Sequence, residues 1–363
     1  MTLIRTPYAL SILAMTLSLS ACSDGTGPGV PARLSFRTIT GGTARQPLAA
    51  VEVEIQDADG NLVPSASDEV TIALDVNPGS LVLHASGRDA NDRIIELVDH
   101  ARPEVLTPFL SDNEGTGEIL GMVYDVTTGA VLSVDLDNAL SSIDRVTGAL
   151  TNIGDMGVNL KGIAFETGSG RLIGATALSD SLMRVDPITG SSTGLGRVTV
   201  PGDSIDGFTG LAEDPTSGTM YAVVRLRDNP NRKTRDLVTL DITALTAAYV
   251  APLPETGVAG ITFLPDGTLL AVTGDGANNP ETLWRVNKTN GVMTSIIAMG
   301  NGADGESIAA IPARLTGTVT IQAVNGVAVF RGLVINAAAD GYTFIATASD
   351  LTSGTSAAFN IVP

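Results

Sequence analysis

The chain has 363 residues, a formal net charge of −18, 40 glycines, two histidines and one cysteine. So acidic a protein is a poor partner for nucleic acid and for anionic lipid surfaces, both of which reward Lys and Arg, and a single cysteine excludes an intrachain disulfide, a thiolate metal cluster and a thiol redox pair. Abundant Gly, Thr, Val and Ala with few long helix formers predict an all-β fold, and the length exceeds what one hydrophobic core serves.

The chain opens Met1-Thr2-Leu3-Ile4-Arg5, then runs apolar from Tyr8 to Ala21 and ends that run Leu19-Ser20-Ala21-Cys22. One positive charge, an apolar stretch and small residues ahead of a cut site are the parts of a secretory signal. The stretch is too short to span a bilayer of ~30 Å, which needs ~20 apolar residues. Leu19–Cys22 resembles the lipobox of bacterial lipoproteins. That resemblance implies that residues 1–21 are removed as a signal peptide and that Cys22 is lipidated, the lipid bilayer being its partner. An ordinary signal peptide followed by a chance cysteine is the alternative. One acyl chain anchors only marginally, at ~0.8 kcal/mol per buried CH₂, so the multiple acylation of that family is what would hold the chain. Loss of Arg5 takes the net charge to −19. Ser23 stands where an inner-membrane retention signal places Asp, so the resemblance favours the outer membrane or cell surface. Residues 22–32, rich in Gly and Pro, read as a flexible linker.

From residue 33 the pattern changes. Val51-Glu-Val53-Glu-Ile55 and Val70-Thr-Ile72-Ala-Leu74 alternate with period two, as half-buried strands do. Between them Asp57-Ala-Asp59-Gly60-Asn61 has the composition of a tight turn. It also begins like a calcium-binding EF-hand loop, but Leu62 holds the position that needs Gly, and no helices flank it. The run from Val53 to Asn61 resembles the first half of bacterial immunoglobulin-like repeats, which assigns 33–79 to such a half.

Residues 80–313 read as a repeat. Leu120-Gly-Met-Val-Tyr124, Lys161-Gly-Ile-Ala-Phe165, Thr209-Gly-Leu-Ala-Glu213 and Ala259-Gly-Ile-Thr-Phe263 share one pattern, which Glu306-Ser-Ile-Ala-Ala310 keeps with Ser307 for Gly. The steps between these glycines and Ser307 are 41, 48, 50 and 47 residues. Each is followed by a second strand, then a third ending in an acid and a Thr-Gly or Asn-Gly turn, such as Leu182–Asp186 before Thr189-Gly190, then a short fourth. Four strands per ~45 residues is the size of a β-propeller blade. Residues 80–109 supply strands two to four of a unit lacking its first, and 306–313 supply a first strand lacking the rest. Joined, they make a fifth blade from both ends of the segment. A four-bladed or open array is the alternative.

In 314–363, Val319-Thr-Ile321, Val327-Ala-Val329 and Tyr342-Thr-Phe344-Ile-Ala346 alternate again. Asp340-Gly341-Tyr342 resembles the tyrosine corner of immunoglobulin-like sandwiches, with Phe344 where a disulfide cysteine would sit. An immunoglobulin-like sandwich takes ~100 residues, and a three-strand fragment cannot bury two sheets. Residues 33–79 and 314–363 together reach that size. The expected architecture is thus all-β, a five-bladed β-propeller inserted into an immunoglobulin-like β-sandwich. Insertion at an exposed loop costs little when the inserted ends lie together.

Catalytic signatures are mostly absent: the sequence holds no Gly-x-x-x-x-Gly-Lys and no His-Glu-x-x-His. Gly300–Gly305 fits Gly-x-Gly-x-x-Gly, but a strand rather than a helix follows, so it reads as a loop. His84 and His100 are expected to be structural, and no catalytic residue is assigned. Asp99, Asp144, Asp186, Asp241 and Asn287 precede turns and are read as their caps. Two groups remain. The loops leading into the first strands carry Asp112, Glu114 and Glu118, Asp155, Asp203 and Asp206, Glu255, and Asp304 and Glu306, with Lys161 and Arg88 nearby. In a propeller these would ring one channel mouth; the plain reading is solvated acidic loops of an acidic protein, the alternative a mouth that holds Ca²⁺ or a polar ligand, and no other cofactor is expected. The second group, Arg225, Arg227, Arg232, Lys233 and Arg235, puts five of the 21 basic residues into 11 positions, by default a solvated loop, alternatively a contact site for an acidic protein or glycan. The function these features favour is a lipid-anchored, exported binding module for protein or glycan, with the sandwich as stalk. The alternative is a glycosidase-like propeller hydrolase with paired carboxylates at the mouth.

Overall fold

The structure is a computed structural model describing residues 29–78, 80–87, 93–97, 106–111, 119–144, 149–228, 234–274, 277–279, 282–298 and 304–362. For 80–87, 93–97, 106–111 and 304–306 the description is of the backbone alone. The signal region and Cys22 lie outside the described residues. So do Asp99, His100, Asp112, Glu114, Glu118, Arg232 and Lys233.

Every regular element among the described residues is a β-strand. The chain is all-β and built largely of repeated four-stranded antiparallel sheets, the arrangement of a propeller-like fold. Unit 1 holds Ile119–Tyr124, Val131–Asp135, Ala139–Ile143 and Leu150–Asp155, and unit 2 holds Leu160–Glu166, Arg171–Thr176, Ser181–Val185 and Ser192–Arg197. Unit 3 holds Ile205–Asp214, Thr219–Leu226, Arg235–Asp241 and Thr246–Leu253. Unit 4 holds Val258–Phe263, Leu269–Thr273, Thr282–Val286 and Met293–Ala298. In each, strands pair in chain order. Unit 5 breaks that order: its first strand, Asp304–Pro312, pairs with Ser80–Gly87, followed by Arg93–Leu97 and Leu106–Ser111. The pair Pro312↔Ser80 sets the two ends of this segment side by side.

The first strands of the five units lie against one another in turn, and that of unit 5 lies against that of unit 1. Each carries a β-bulge at the same place: Leu120, Lys161, Thr209, Ala259 and Glu306 are skipped in the register with the second strand. A bulge sharpens local twist and bends the strand. The next residue is the recurrent glycine, or Ser307, and here the backbones crowd. A Cβ on Gly162 would stand 2.8 Å from the Leu211 nitrogen, one on Gly210 3.1 Å from the Ile261 nitrogen, and one on Gly260 3.1 Å from the Ser307 Cα. The glycine in each repeat is therefore the residue that lets neighbouring first strands close up.

On either side of this segment the chain forms smaller sheets whose strands come from both sides of it. Val51–Gln56 pairs with Arg33–Phe36 on one edge and Val327–Phe330 on the other, and Glu69–Leu74 pairs with Thr320–Gln322 and with Phe344–Thr347. The predicted alternation of Val51–Gln56 is seen as inward Val51, Val53 and Ile55 and half-buried Glu52, Glu54 and Gln56. Asp57 accepts hydrogen bonds from the Asp59 and Asn61 amides at 3.0 and 2.8 Å, which makes the segment a turn. Buried Tyr342 donates its hydroxyl to the Ala337 carbonyl at 3.0 Å, as the corner motif implies. Phe344 packs on Phe359 with ring centroids 4.9 Å apart. The apolar cluster under these sheets runs on through Ile311 and Ala313 to Tyr124 and Met122 of the repeat.

Candidate functional site

A cavity of about 310 Å³ lies where the first strands end, beyond the glycine ring. The residues just past the ring positions, Met122, Ile163, Leu211 and Ile261, line both this cavity and a constriction of about 10 Å³. Two residues further on come Tyr124, Phe165, Glu213, Phe263 and Ala310, which all line the cavity. Each set follows from strand periodicity: positions two apart share a face, so a pattern repeated on five strands becomes a layer. Pro215, Pro265, Pro312 and the 65 % exposed Val126 complete the mouth.

Three carboxylates belong to this lining. Asp125 caps the turn after its strand, accepting from the Thr127 amide at 2.8 Å and the Thr128 hydroxyl at 2.7 Å. Glu166 bonds the Ser169 hydroxyl and pairs with Arg171 at 2.7 Å. The Ser169 bond, reinforced by Arg171, holds its carboxyl below the usual range against the opposing effect of burial. Glu213 reaches from unit 3 to accept the Thr167 amide of unit 2 at 2.8 Å. Beside this rim, buried Asp214 meets Lys288, whose ammonium also stands 5.7 Å from the Phe263 ring centroid. Burial by itself would raise the Asp214 pKa, but the bonds from Lys288 and Thr216 outweigh it and bring it to about 2. Arg314, the residue after this segment, donates to the Tyr124 hydroxyl at 3.0 Å.

Those acids singled out in the sequence that are described lie towards the opposite end, where the first strands begin. Asp155 accepts from the Gly157 amide at 2.7 Å, and Glu255 accepts from the Asn279 side chain at 3.1 Å. Asp203 caps its own turn through the Ser204 amide at 2.6 Å. Asp206 is not in a loop at all: it lies in a first strand and pairs with Arg225 at 3.3 Å. Asp304 and Glu306 also fall within a strand. Among the described residues no three His, Cys, Asp or Glu side chains form a group able to hold a metal ion. Lys161 is among the residues that line the axial constriction.

The basic loop is likewise smaller than its sequence implies. Arg225 and Arg235 are strand residues at its base. Arg225 faces Asp206, so residues assigned by sequence to two different sites are partners. Burial, then the nearby Arg225, lower the pKa of Arg235. Arg227 donates its amide to the Ser204 carbonyl at 2.9 Å. His84 stands in a strand of unit 5. Asp186, Asp241 and Asn287 each accept the amide two residues on, at 2.8, 2.9 and 3.0 Å, as turn caps. Sequence reasoning passed over the cavity because its residues read as ordinary strand apolars. The aromatic-rich third position after each glycine was the available signal.

Fold and cavity together define an all-β repeat protein with an apolar, acid-rimmed pocket at the ends of its first strands. No protein-family model matches the sequence, and no curated protein matches it. Similar solved structures include a chain of the nidogen/laminin complex, 13 % identical with a TM-score of 0.44 over 64 % of this chain and 98 % of that one. A protein of unknown function from Bacteroides thetaiotaomicron is 12 % identical with a TM-score of 0.43 over 83 % of this chain and 76 % of the other. Another from Bacteroides caccae is 12 % identical with a TM-score of 0.42 over 64 % and 99 %.

Proposed function

We propose that this protein is an exported lipoprotein, anchored through Cys22, whose five-bladed propeller is inserted into an immunoglobulin-like sandwich and binds a protein or glycan. Support for the ring comes from five four-stranded sheets whose first strands touch in a closed cycle. Support for the insertion comes from sheets that join strands before residue 80 to strands after residue 313. The observation that carries the binding role is the cavity. A concave, mainly apolar site with a few converging polar groups is the usual form of a ligand site, and this one is about 310 Å³. The Glu166 carboxyl in it is shifted downwards by the Ser169 bond and Arg171, away from what a general acid for glycoside hydrolysis requires.

Screening the full chain on glycan arrays and against candidate proteins tests this, with Ala310→Phe as a variant that fills the cavity. A partner held by the wild type and lost by the variant is expected. Partners held equally by both would move the site elsewhere, and glycoside turnover would make the protein a hydrolase. For the anchor, cells fed a palmitate analogue should label the wild type and not Cys22→Ser, which should leave the membrane fraction. An unlabelled wild type would refute the lipoprotein reading.

A further inference from the structure

Taking the cavity as the ligand site proposed above, we infer that its ligand is a small organic ammonium with an apolar body. Three observations converge. The floor, Met122, Ile163, Leu211 and Ile261, offers apolar side chains only. The next layer sets one carboxylate, Glu213, among Tyr124, Phe165 and Phe263, with Asp125 and Glu166 at the rim. Aromatic faces and carboxylates both favour a cation, and both strengthen as water is excluded. Each cation nearby already has a partner: Arg171 has Glu166, Lys288 has Asp214 and Arg314 has the Tyr124 hydroxyl. An anionic ligand would meet three carboxylates, and a wholly apolar one would leave the Glu213 carboxylate facing its surface.

The apolar body would sit on the floor above the glycine ring, and the ammonium would lie in the layer of Glu213. The Thr167 amide bonds one oxygen of that carboxylate and holds it in place across the gap between units 2 and 3.

Isothermal titration of the full chain with phenethylammonium, phenethyl alcohol and phenylacetate separates charge from shape, since the three share one ring and one chain length. The ammonium should bind about tenfold more tightly than the alcohol, as one desolvated cation–π and ion-pair contact allows, and phenylacetate should bind weakest. Glu213→Gln keeps an acceptor for the Thr167 amide, so it should fold, retain the alcohol and lose most of the ammonium's advantage. Added salt should weaken the ammonium and leave the alcohol unchanged, a readout that needs no variant. Ala310→Phe should abolish both. Equal binding of ammonium and alcohol by the wild type would overturn the ammonium and leave the cavity as a ligand site. Binding that survives Ala310→Phe would overturn the cavity itself.

Discussion

Gly162 lies where its strand crosses closest to the next, and a Cβ there would meet the Leu211 backbone nitrogen rather than a side chain able to turn away. Gly162→Ala should therefore cost roughly 1–3 kcal/mol, as overpacking does. Gly168 has nothing within 4 Å of its would-be Cβ, so Gly168→Ala should stay within about 0.5 kcal/mol of wild type. Denaturant melts of the two variants check the contrast, and equal losses would remove the crowding argument. Ser307 takes the glycine's place in unit 5, and its strand still carries the common bulge. The identity of each residue is thus set by how near the neighbouring backbone comes, which the repeat spacing alone does not state.

Within single elements, the strands that alternate in sequence also alternate in burial, because side chains on a pleated strand point to opposite faces. The bulges were not legible, since a skipped residue leaves no mark in composition. They recur on all five first strands and move one residue of each out of register. The strand Ile205–Asp214 ends in Asp214, tied to Lys288 in the turn after a third strand of the next unit. The Asp214 pKa is about 2 folded against an ordinary 3.8. The sign follows: a carboxylate depressed in the fold contributes stability in full above its ordinary value, and that contribution is lost as pH falls through 3.8 towards about 2. Lys288→Met should cost roughly 1.5–3 kcal/mol near neutrality, the scale of a charged hydrogen bond. The gap between variant and wild type should close as pH approaches 2 in urea denaturation. A gap that stays constant with pH would show that Lys288 acts through packing on Phe263 instead.

For the whole molecule, the pair Pro312↔Ser80 and the bond from the Asn77 side chain to the Ala313 carbonyl at 2.8 Å bring the boundaries of the long segment together. The proposed insertion then makes a direct prediction. Removing 80–313 and joining residue 79 to Arg314 through a short Gly/Ser linker should leave a domain that folds alone, because loop-closure cost grows only logarithmically with length. Its core would be Val53, Ile55, Val70, Ile72, Phe330, Tyr342 and Phe344, all buried now. A cooperative thermal transition and dispersed amide resonances are expected. An unfolded product would mean that the ring's contacts at Ile311 and Ala313 are needed to hold those sheets together.

Local periodicity and turn chemistry are written in neighbouring residues, so the all-β class, the repeat and the turn caps at Asp57, Asp186 and Asp241 could be read from the chain by itself. The Tyr342 corner was legible for the same reason, its acceptor being five residues away. Where the pocket lies could not be read that way. The acids before each first strand look alike in sequence whether they ring a mouth, cap a turn as Asp203 does or pair across a sheet as Asp206 does with Arg225. Tertiary structure decided between them, because only the packing of five strands about one axis closes the channel at its glycines and leaves space beyond them. That space is bounded by residues drawn from positions 122 to 312, whose shared surroundings no short stretch of sequence records.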